Sequence, residues 1–539
     1  MTQVNDVRDA HVETTPASTV SPWQPLSQPV FRMLWIATVV SNVGSWMSDV
    51  GINWSMLILS ADPLDIALVQ AASSLPMFLF ALPSGVMADI VDRRKYLLFS
   101  QLWVFIAAAG LTVLSFTGHV TPTVLLVATF LLSVGAAMSS PPFQAVVPDL
   151  VSKPELGAAV ALNSLGVNIS RAIGPALGGF LLSLAGPWMV FALNALSVVG
   201  VAWVLWRWRP APSIQRLPPE HFFSAVRSGI RYVHAAPVLR NVLVRTVAFF
   251  VFGSAGWALL PLVARRELGL GPAGYGVMLA CIGLGAIAGA ILLPRLRQRL
   301  NADRLMVAAS LTFALTMLAL AFVRHVWLLN LFEFFTGFAW IAVLSTLNLG
   351  AQRSAARWVK ARALAVYLTV FFGSMTTGSA IWGQIASRFG TPTSLVVATL
   401  GMVLASATVF RWKLGKDPDL NLDLSGQPLD GVEIDLPNER GPVLVSHEYI
   451  IDPQNTKAFL EAVHELRRVR RRAGAMSWAV YEDIERPGLF IETFLMGSWI
   501  EHLRQQERHT MNDLLLQSRV LAFHQGTTSP AIRYLVAPV

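Results

Sequence analysis

One cysteine in 539 residues, Cys281, excludes an intrachain disulfide and implies no secreted domain. It lies in an apolar block, where a thiol serves as a small filler rather than a redox centre. Charge is scarce: Asp, Glu, Lys and Arg make up 14% of the chain against 54% hydrophobic residues, where an ordinary soluble domain is roughly a quarter charged. An apolar leader is missing as well. The first 28 residues carry Asp6, Arg8, Asp9 and Glu13 and no hydrophobic core segment, so no cleavable signal peptide is expected. No glycine-rich phosphate loop of the ATPase kind occurs, which leaves an ion gradient as the expected energy source and no cofactor to call for. A formal charge of +9 invites a nucleic-acid reading, but Lys and Arg stand in short clusters between apolar blocks. That is the pattern of a multi-pass membrane protein, with the lipid bilayer as partner and no nucleic acid.

What is present is a series of apolar runs long enough to cross a bilayer. The first six cover 31–59, 64–87, 95–117, 122–141, 158–185 and 187–206; the second six cover 241–263, 272–294, 304–323, 326–347, 361–387 and 391–411. The expected organisation is a polar tail (1–30), a six-helix bundle (31–206), a central loop (207–240) and a second bundle (241–412). A linker (413–441) and a soluble domain (442–539) follow. The central loop holds an amphipathic stretch, Phe223–Tyr232, suited to the membrane surface. Connections after even-numbered spans collect Arg93, Arg94, Lys95, Lys153, the arginines from Arg207 to Arg245, then Arg295, Arg297, Arg299 and Arg304, and later Arg353, Arg357, Lys360 and Arg362. Both termini are therefore expected in the cytoplasm, in the cell inner membrane. Arg265 and Arg266, on the opposite side, go against the rule locally. Trp35, Trp103, Trp203, Trp206, Trp208 and Trp327 near span ends read as interfacial anchors.

The connection between spans 2 and 3 reads Gly85-Val-Met-Ala-Asp89-Ile-Val-Asp92-Arg93-Arg94-Lys95. Gly85 admits a close neighbour helix, and Asp89 is placed to pair with an Arg as a latch. This run resembles the helix 2–3 signature of the major facilitator superfamily, with Asp92 where that family usually has Gly. The substitution resembles the subgroup of enterobactin exporters and transmembrane secretion effectors, as do Pro148-Asp149-Leu150, Asn163 to Gly179 and Gln352 to Tyr367. The matching latch in the second half is degenerate: Gly285 and Gly289 are kept, but Pro294 precedes the basic cluster. The resemblance implies two six-helix bundles of the major facilitator fold, a cytoplasmic gate at Gly85, Asp89, Asp92, Arg93 and Arg94, and transport of a small organic compound. Span 5 carries Gly174-Pro175-Ala-Leu-Gly178-Gly179, a bent, small-residue surface. It is similar to the antiporter motif of drug–proton exporters, which implies efflux; a generic packing groove is the alternative. Span 4 lacks the intramembrane Arg that exporters often carry.

Ionisable residues within spans are costly and are functional candidates by default. On span 1, Asn42, Ser45, Asp49 and Asn53 are spaced 3, 4 and 4 and share one helical face, beside Trp46. Span 5 adds Asn163, Asn168 and Arg171, and span 10 adds Asn330 and Glu333. Asp49 and Glu333 are the proton-carrying candidates. A pair of Asp49 with Arg171 fits either a hydration-driven switch or a fixed helix–helix tie. Glu333 lies early in its span, which favours a headgroup-level position over a coupling role.

After Lys413 the composition turns polar, and from 443 the order reads strand (443–451), amphipathic helix (453–472), strand (476–484), strand (489–496), helical region (498–523) and strand (532–536). This βαββαβ order is the ferredoxin-like, split-βαβ pattern. It resembles the dimeric α+β barrel group that includes small monooxygenases, which implies self-association. His502 and His509, seven apart, fit two turns of one helix but make a weak metal set, and no metal is expected. The arginines Arg467, Arg468, Arg470, Arg471 and Arg472 read as a solvated or headgroup-facing surface. The expected function is proton-coupled export of a siderophore or drug-like compound, by a transporter and not an enzyme. A membrane-anchored enzyme or ligand sensor acting through the terminal domain, and uptake by the same fold, stay open.

Overall fold

The computed structural model describes residues 21–209, 236–354, 360–414, 440–507, 510–526 and 528–537, with a few positions inside helices, Gly85 and Asp89 among them, given by their backbone alone. Among these residues, twelve long helices run between Pro29 and Ser406. In order they are α1 (Pro29–Leu59), α2 (Pro63–Ile90), α3 (Arg93–Phe116), α4 (Pro122–Leu150), α5 (Leu156–Ala185) and α6 (Pro187–Arg207). The second set is α7 (Pro237–Leu262), α8 (Pro272–Arg299), α9 (Ala302–Phe322), α10 (Val326–Arg353), α11 (Lys360–Phe389) and α12 (Thr391–Ser406). Proline begins α1, α2, α4, α6, α7 and α8, where its missing N–H has no helical partner to lose and its fixed φ suits the first turn. Gly186 at φ 83° and Gly390 at φ 86° make the matching tight turns before α6 and α12, an echo of the two-bundle repeat.

Apolarity understates several of these helices. α4 continues through Pro141, Pro142 and Pro148 to Leu150, and α8 passes Pro294 to Arg299, because the helical backbone outlasts the bilayer-apolar stretch. Among the described residues, eleven helices are long and apolar enough to cross a membrane. α1 falls short of that test, being diluted by its own polar stripe. Phe223–Tyr232 lies outside the described residues.

α1 packs on α5 and α6, and the halves meet where α2 lies against α11 and α5 against α8. Connections after odd-numbered helices share one face, here the far face: Arg324 pairs with Glu267 at 2.9 Å, and the Arg266 guanidinium donates to the Ala61 carbonyl. The other, terminal face holds the chain's entry and exit. Arg245, counted with the loop charges above, is instead fully buried inside α7, among α9 and α12. Three of the expected interfacial tryptophans are packing elements: Trp35 and Trp103 donate to the Leu162 and Leu131 carbonyls, and Trp208 is buried.

The terminal unit holds a four-stranded antiparallel sheet, β1 (Val443–Ile450), β2 (Ser477–Glu482), β3 (Leu489–Met496) and β4 (Ala531–Val536), in the order β2-β3-β1-β4. Its helices are α13 (Thr456–Ala473), α14 (Trp499–Glu507) and α15 (Met511–Leu521). Thr510 caps α15 in a reciprocal box with Asp513. That start divides the helical region at Thr510; His509, and with it the expected His502–His509 pair, lies outside the described residues.

Candidate functional site

α1 presents three faces. Gly44 and Gly51 fit against α6, beside Asn194 and Val190, while Val43, Trp46 and Met47 meet α5. Asn42, Ser45, Asp49 and Asn53 occupy the remaining side, and Ser45 and Asp49 are exposed there. Asn53 donates to the Asp49 carbonyl at 2.8 Å, and the Asp49 carboxylate lies within electrostatic range of the Tyr275 hydroxyl on α8. Tyr275 stacks on Trp54 with ring centres 6.3 Å apart, and the Arg265 guanidinium also lies over the Trp54 ring, at 5.7 Å. Tyr275 and Trp54 carried no signal in the sequence beyond being aromatic; only the fold brings helices 220 residues apart together.

Arg171 does not pair with Asp49 in this structure. Its guanidinium lies over Trp46 at 5.6 Å, and its Nε is buried without a hydrogen-bond partner. Glu333 faces the interior of the second bundle and not its outer surface. It is 1% exposed and lines a closed cavity with Trp257, Thr316 and Thr336, with room for about one water molecule. Glu333 Oε1 and Trp257 Nε1, both buried, have no partner among the described residues.

The Gly-Pro-x-x-Gly-Gly run of α5 touches two helices at once. A Cβ on Gly174 would stand 2.6 Å from the Trp46 Cβ, and one on Gly178 2.8 Å from the Met47 Cα, both on α1. On the opposite edge, a Cβ on Gly179 would meet the Pro272 carbonyl at 2.5 Å, and one on Gly276 the Pro175 carbonyl at 2.5 Å. The same face of α5 that meets α8 from Ala172 to Gly179 is exposed at Gly157, Ala161 and Ser164. The halves are thus joined toward the far face and separated toward the terminal face, leaving a one-sided cleft whose blind end is Arg171. Substituting Gly179 by Val is expected to hold α5 and α8 apart. The measurement is maleimide labelling of a cysteine placed at Ala273, which should rise in the variant; unchanged labelling would mean the contact is not what closes this face.

The run after α2 behaves as follows. Asp92 caps α3 by accepting from Lys95 N at 3.0 Å, which gives the departure from Gly a local reason. Arg93 pairs with Asp149 of the Pro148-Asp149-Leu150 segment at 3.3 Å, and Arg94 donates to the Leu205 and Trp206 carbonyls. Gly85 and the Asp89 side chain are outside the described set.

In the terminal unit, Glu492 on β3 accepts from Arg470 (3.1 and 3.4 Å), Trp478 Nε1 (2.9 Å) and the Tyr449 hydroxyl (3.1 Å). Burial alone pushes the Glu492 carboxyl up, but the Arg470 guanidinium, His447 and the Arg470 and Trp478 donors outweigh it and hold the group at about 2. Arg470 is therefore no surface residue: it is 3% exposed, because it follows Leu466 by four positions on the buried face of α13. Arg472 likewise pairs with Asp513, while Arg467, Arg468 and Arg471 are exposed as expected. His502 is buried against Trp499 and Tyr534.

Two repeated bundles, a one-sided cleft and polar residues at membrane depth define a secondary transporter of the major facilitator fold. A family model described as transmembrane secretion effector matches residues 20–538, and the chain belongs to that family. It is 22% identical to the multidrug efflux pump Tap of Mycolicibacterium fortuitum, over 74% of this chain and 98% of that one. Against the enterobactin exporter EntS of Escherichia coli identity is 26%, over 60% and 76%, and against the staphyloferrin A transporter of Staphylococcus aureus 22%, over 52% and 70%. Among solved structures, an inward-facing, occupied bacterial homologue of the lysosomal transporter Spinster superposes with a TM-score of 0.58 at 15% identity, covering 73% of this chain and 99% of that one. A POT family transporter in complex with 5-aminolevulinic acid gives 0.60 at 13%, over 72% and 96%.

Proposed function

We propose that the chain exports a small organic compound, of the siderophore or drug-like kind its relatives are named for, in exchange for protons. The observation that carries this reading is the double contact of the α5 motif, which seals the far face while a cleft stays open toward the terminal face. The Lys and Arg clusters support a cytoplasmic position for that terminal face and both chain ends, in the inner membrane. The compound then enters the cleft from inside, along Asn42, Ser45, Asn53 and Arg171. Asp49 takes and releases the proton as its surroundings dry and hydrate, with Glu333 the second candidate. Gly85, Asp89, Asp92, Arg93 and Arg94 act as the cytoplasmic gate that closes when the far face opens. The terminal sheet unit is an accessory that associates with a second copy, and the chain catalyses no covalent step.

Accumulation of a panel of siderophores and dyes in cells with and without the protein tests this. Cells that carry it should retain less of at least one compound, and removing residues 415–539 should leave that difference in place. Equal accumulation of every compound overturns export. A difference abolished by the deletion transfers the activity to the terminal unit.

A further inference from the structure

We propose that the exported compound is an anion, and that one of its oxyanions docks on the Arg171 guanidinium at the blind end of the cleft, making Arg171 the residue that sets charge specificity. The inference rests on the export reading and names its substrate class.

Arg171 lies in the middle of α5, just before the point where α5 and α8 close together: a Cβ on Gly283 would stand 2.9 Å from the Arg171 carbonyl. Among the described residues its guanidinium has neither an ion-pair partner nor a hydrogen-bond acceptor. A guanidinium does not shed its proton, so this charge persists at membrane depth. Unpaired charge there is costly and is normally matched by a partner. The polar groups around it leave it unmatched. Asp49, on α1, forms no ion pair with it and lies within electrostatic range of Tyr275.

The Trp46 ring, 5.6 Å from the guanidinium carbon, covers one face of the group, and with Nε buried the two terminal nitrogens are the ones left to meet a ligand edge-on. An edge-on guanidinium takes a carboxylate or a catecholate through two parallel N–H bonds, and no neutral donor–acceptor group does so as well. A cationic compound would add a second positive charge at the same depth, and a neutral one would leave the first uncompensated. The arrangement recurs eight residues further along α1. There Arg265 lies over Trp54 at 5.7 Å with its Nη1 buried and unpartnered, a second station for the anion once the far face parts.

The test is calorimetric titration of the full-length protein in detergent at neutral pH. The probes are 2,3-dihydroxybenzoate and 2,3-dihydroxybenzamide, which differ in the carboxylate charge. The acid is expected to bind at least about tenfold tighter than the amide, the margin of one charge-assisted bidentate contact. Arg171→Gln should bring the acid down to the level of the amide, and Arg171→Lys should keep part of the preference. Equal binding of the two probes by the unsubstituted protein overturns the proposal without reference to any variant. So does failure of the acid to bind at millimolar concentration, or a preference that survives in Arg171→Gln. Because the titration involves no transport, anion binding in a protein that changes no compound's accumulation would sink the export reading and leave the docking site standing.

Discussion

Replacing Asp49 with Asn is expected to reduce substrate-driven proton movement in sealed vesicles to the leak level, while the purified variant still binds the compound that drives it. The side chain keeps its size and its place on α1, so the contacts of Gly44, Gly51 and Met47 with α5 and α6 are undisturbed. What is lost is a group that changes charge. An amide on the exposed face opposite Tyr275 cannot alternate between a dry neutral form and a hydrated ionised one. The measurement is vesicle-lumen pH after substrate addition. A normal pH change from the variant would transfer coupling to Glu333, whose closed, water-sized cavity and unpartnered Oε1 make it the next carboxyl to substitute.

Truncating Arg470 to Ala should be the most damaging single change outside the membrane. It strands the Glu492 carboxylate, itself fully buried, with only the Trp478 and Tyr449 donors. Breaking one side of a buried ion pair costs on the order of 3–5 kcal/mol. Amide hydrogen exchange in β1 and β3 should therefore accelerate by about two to four orders of magnitude in the intact protein. The double substitution Arg470→Met with Glu492→Leu should recover most of that protection, since neither charge is then left alone. Unchanged exchange in Arg470→Ala would show that the pair is peripheral to the stability of the sheet. Acid acts on the same unit. The folded-state Glu492 is lowered to about 2 from an ordinary 4.5, so its contribution is complete above about pH 4.5 and is lost as pH falls toward 2. Burial lowers His502 to about 4 from 6.5, so stability already declines as pH drops below 6.5 and levels off under 4.

The helices and their order were readable because bilayer thickness imposes a length on every apolar run and proline marks where many of them begin. The polar face of α1 was readable for a similar reason: spacings of 3 and 4 are a local property of one helix. Arg245, Tyr275 and Trp257 were not, because their significance comes from partners on other helices. Arg470 was concealed by composition. Amid four neighbouring arginines it looked like part of a charge run, although its distance from Leu466 and Val463 put it on the apolar side of α13. The helix start at Thr510 had a visible cue, since Thr510 and Asp513 form a capping box, but the apolar period ran across it. The burial of Glu333 was not legible either, because counting depth from the end of its helix says nothing about which way a side chain faces.

Arg266 reaches the carbonyl of Ala61, and Arg94 reaches those of Leu205 and Trp206. In each case the acceptor is main chain, present whatever side chain occupies the position. Residues 61, 205 and 206 are thus free to drift over evolutionary time without breaking these contacts, whereas the two arginines are not. Comparison of many related sequences should accordingly show each arginine retained with no compensating change at its partner. Methods that find contacts from paired substitutions would overlook these two clasps.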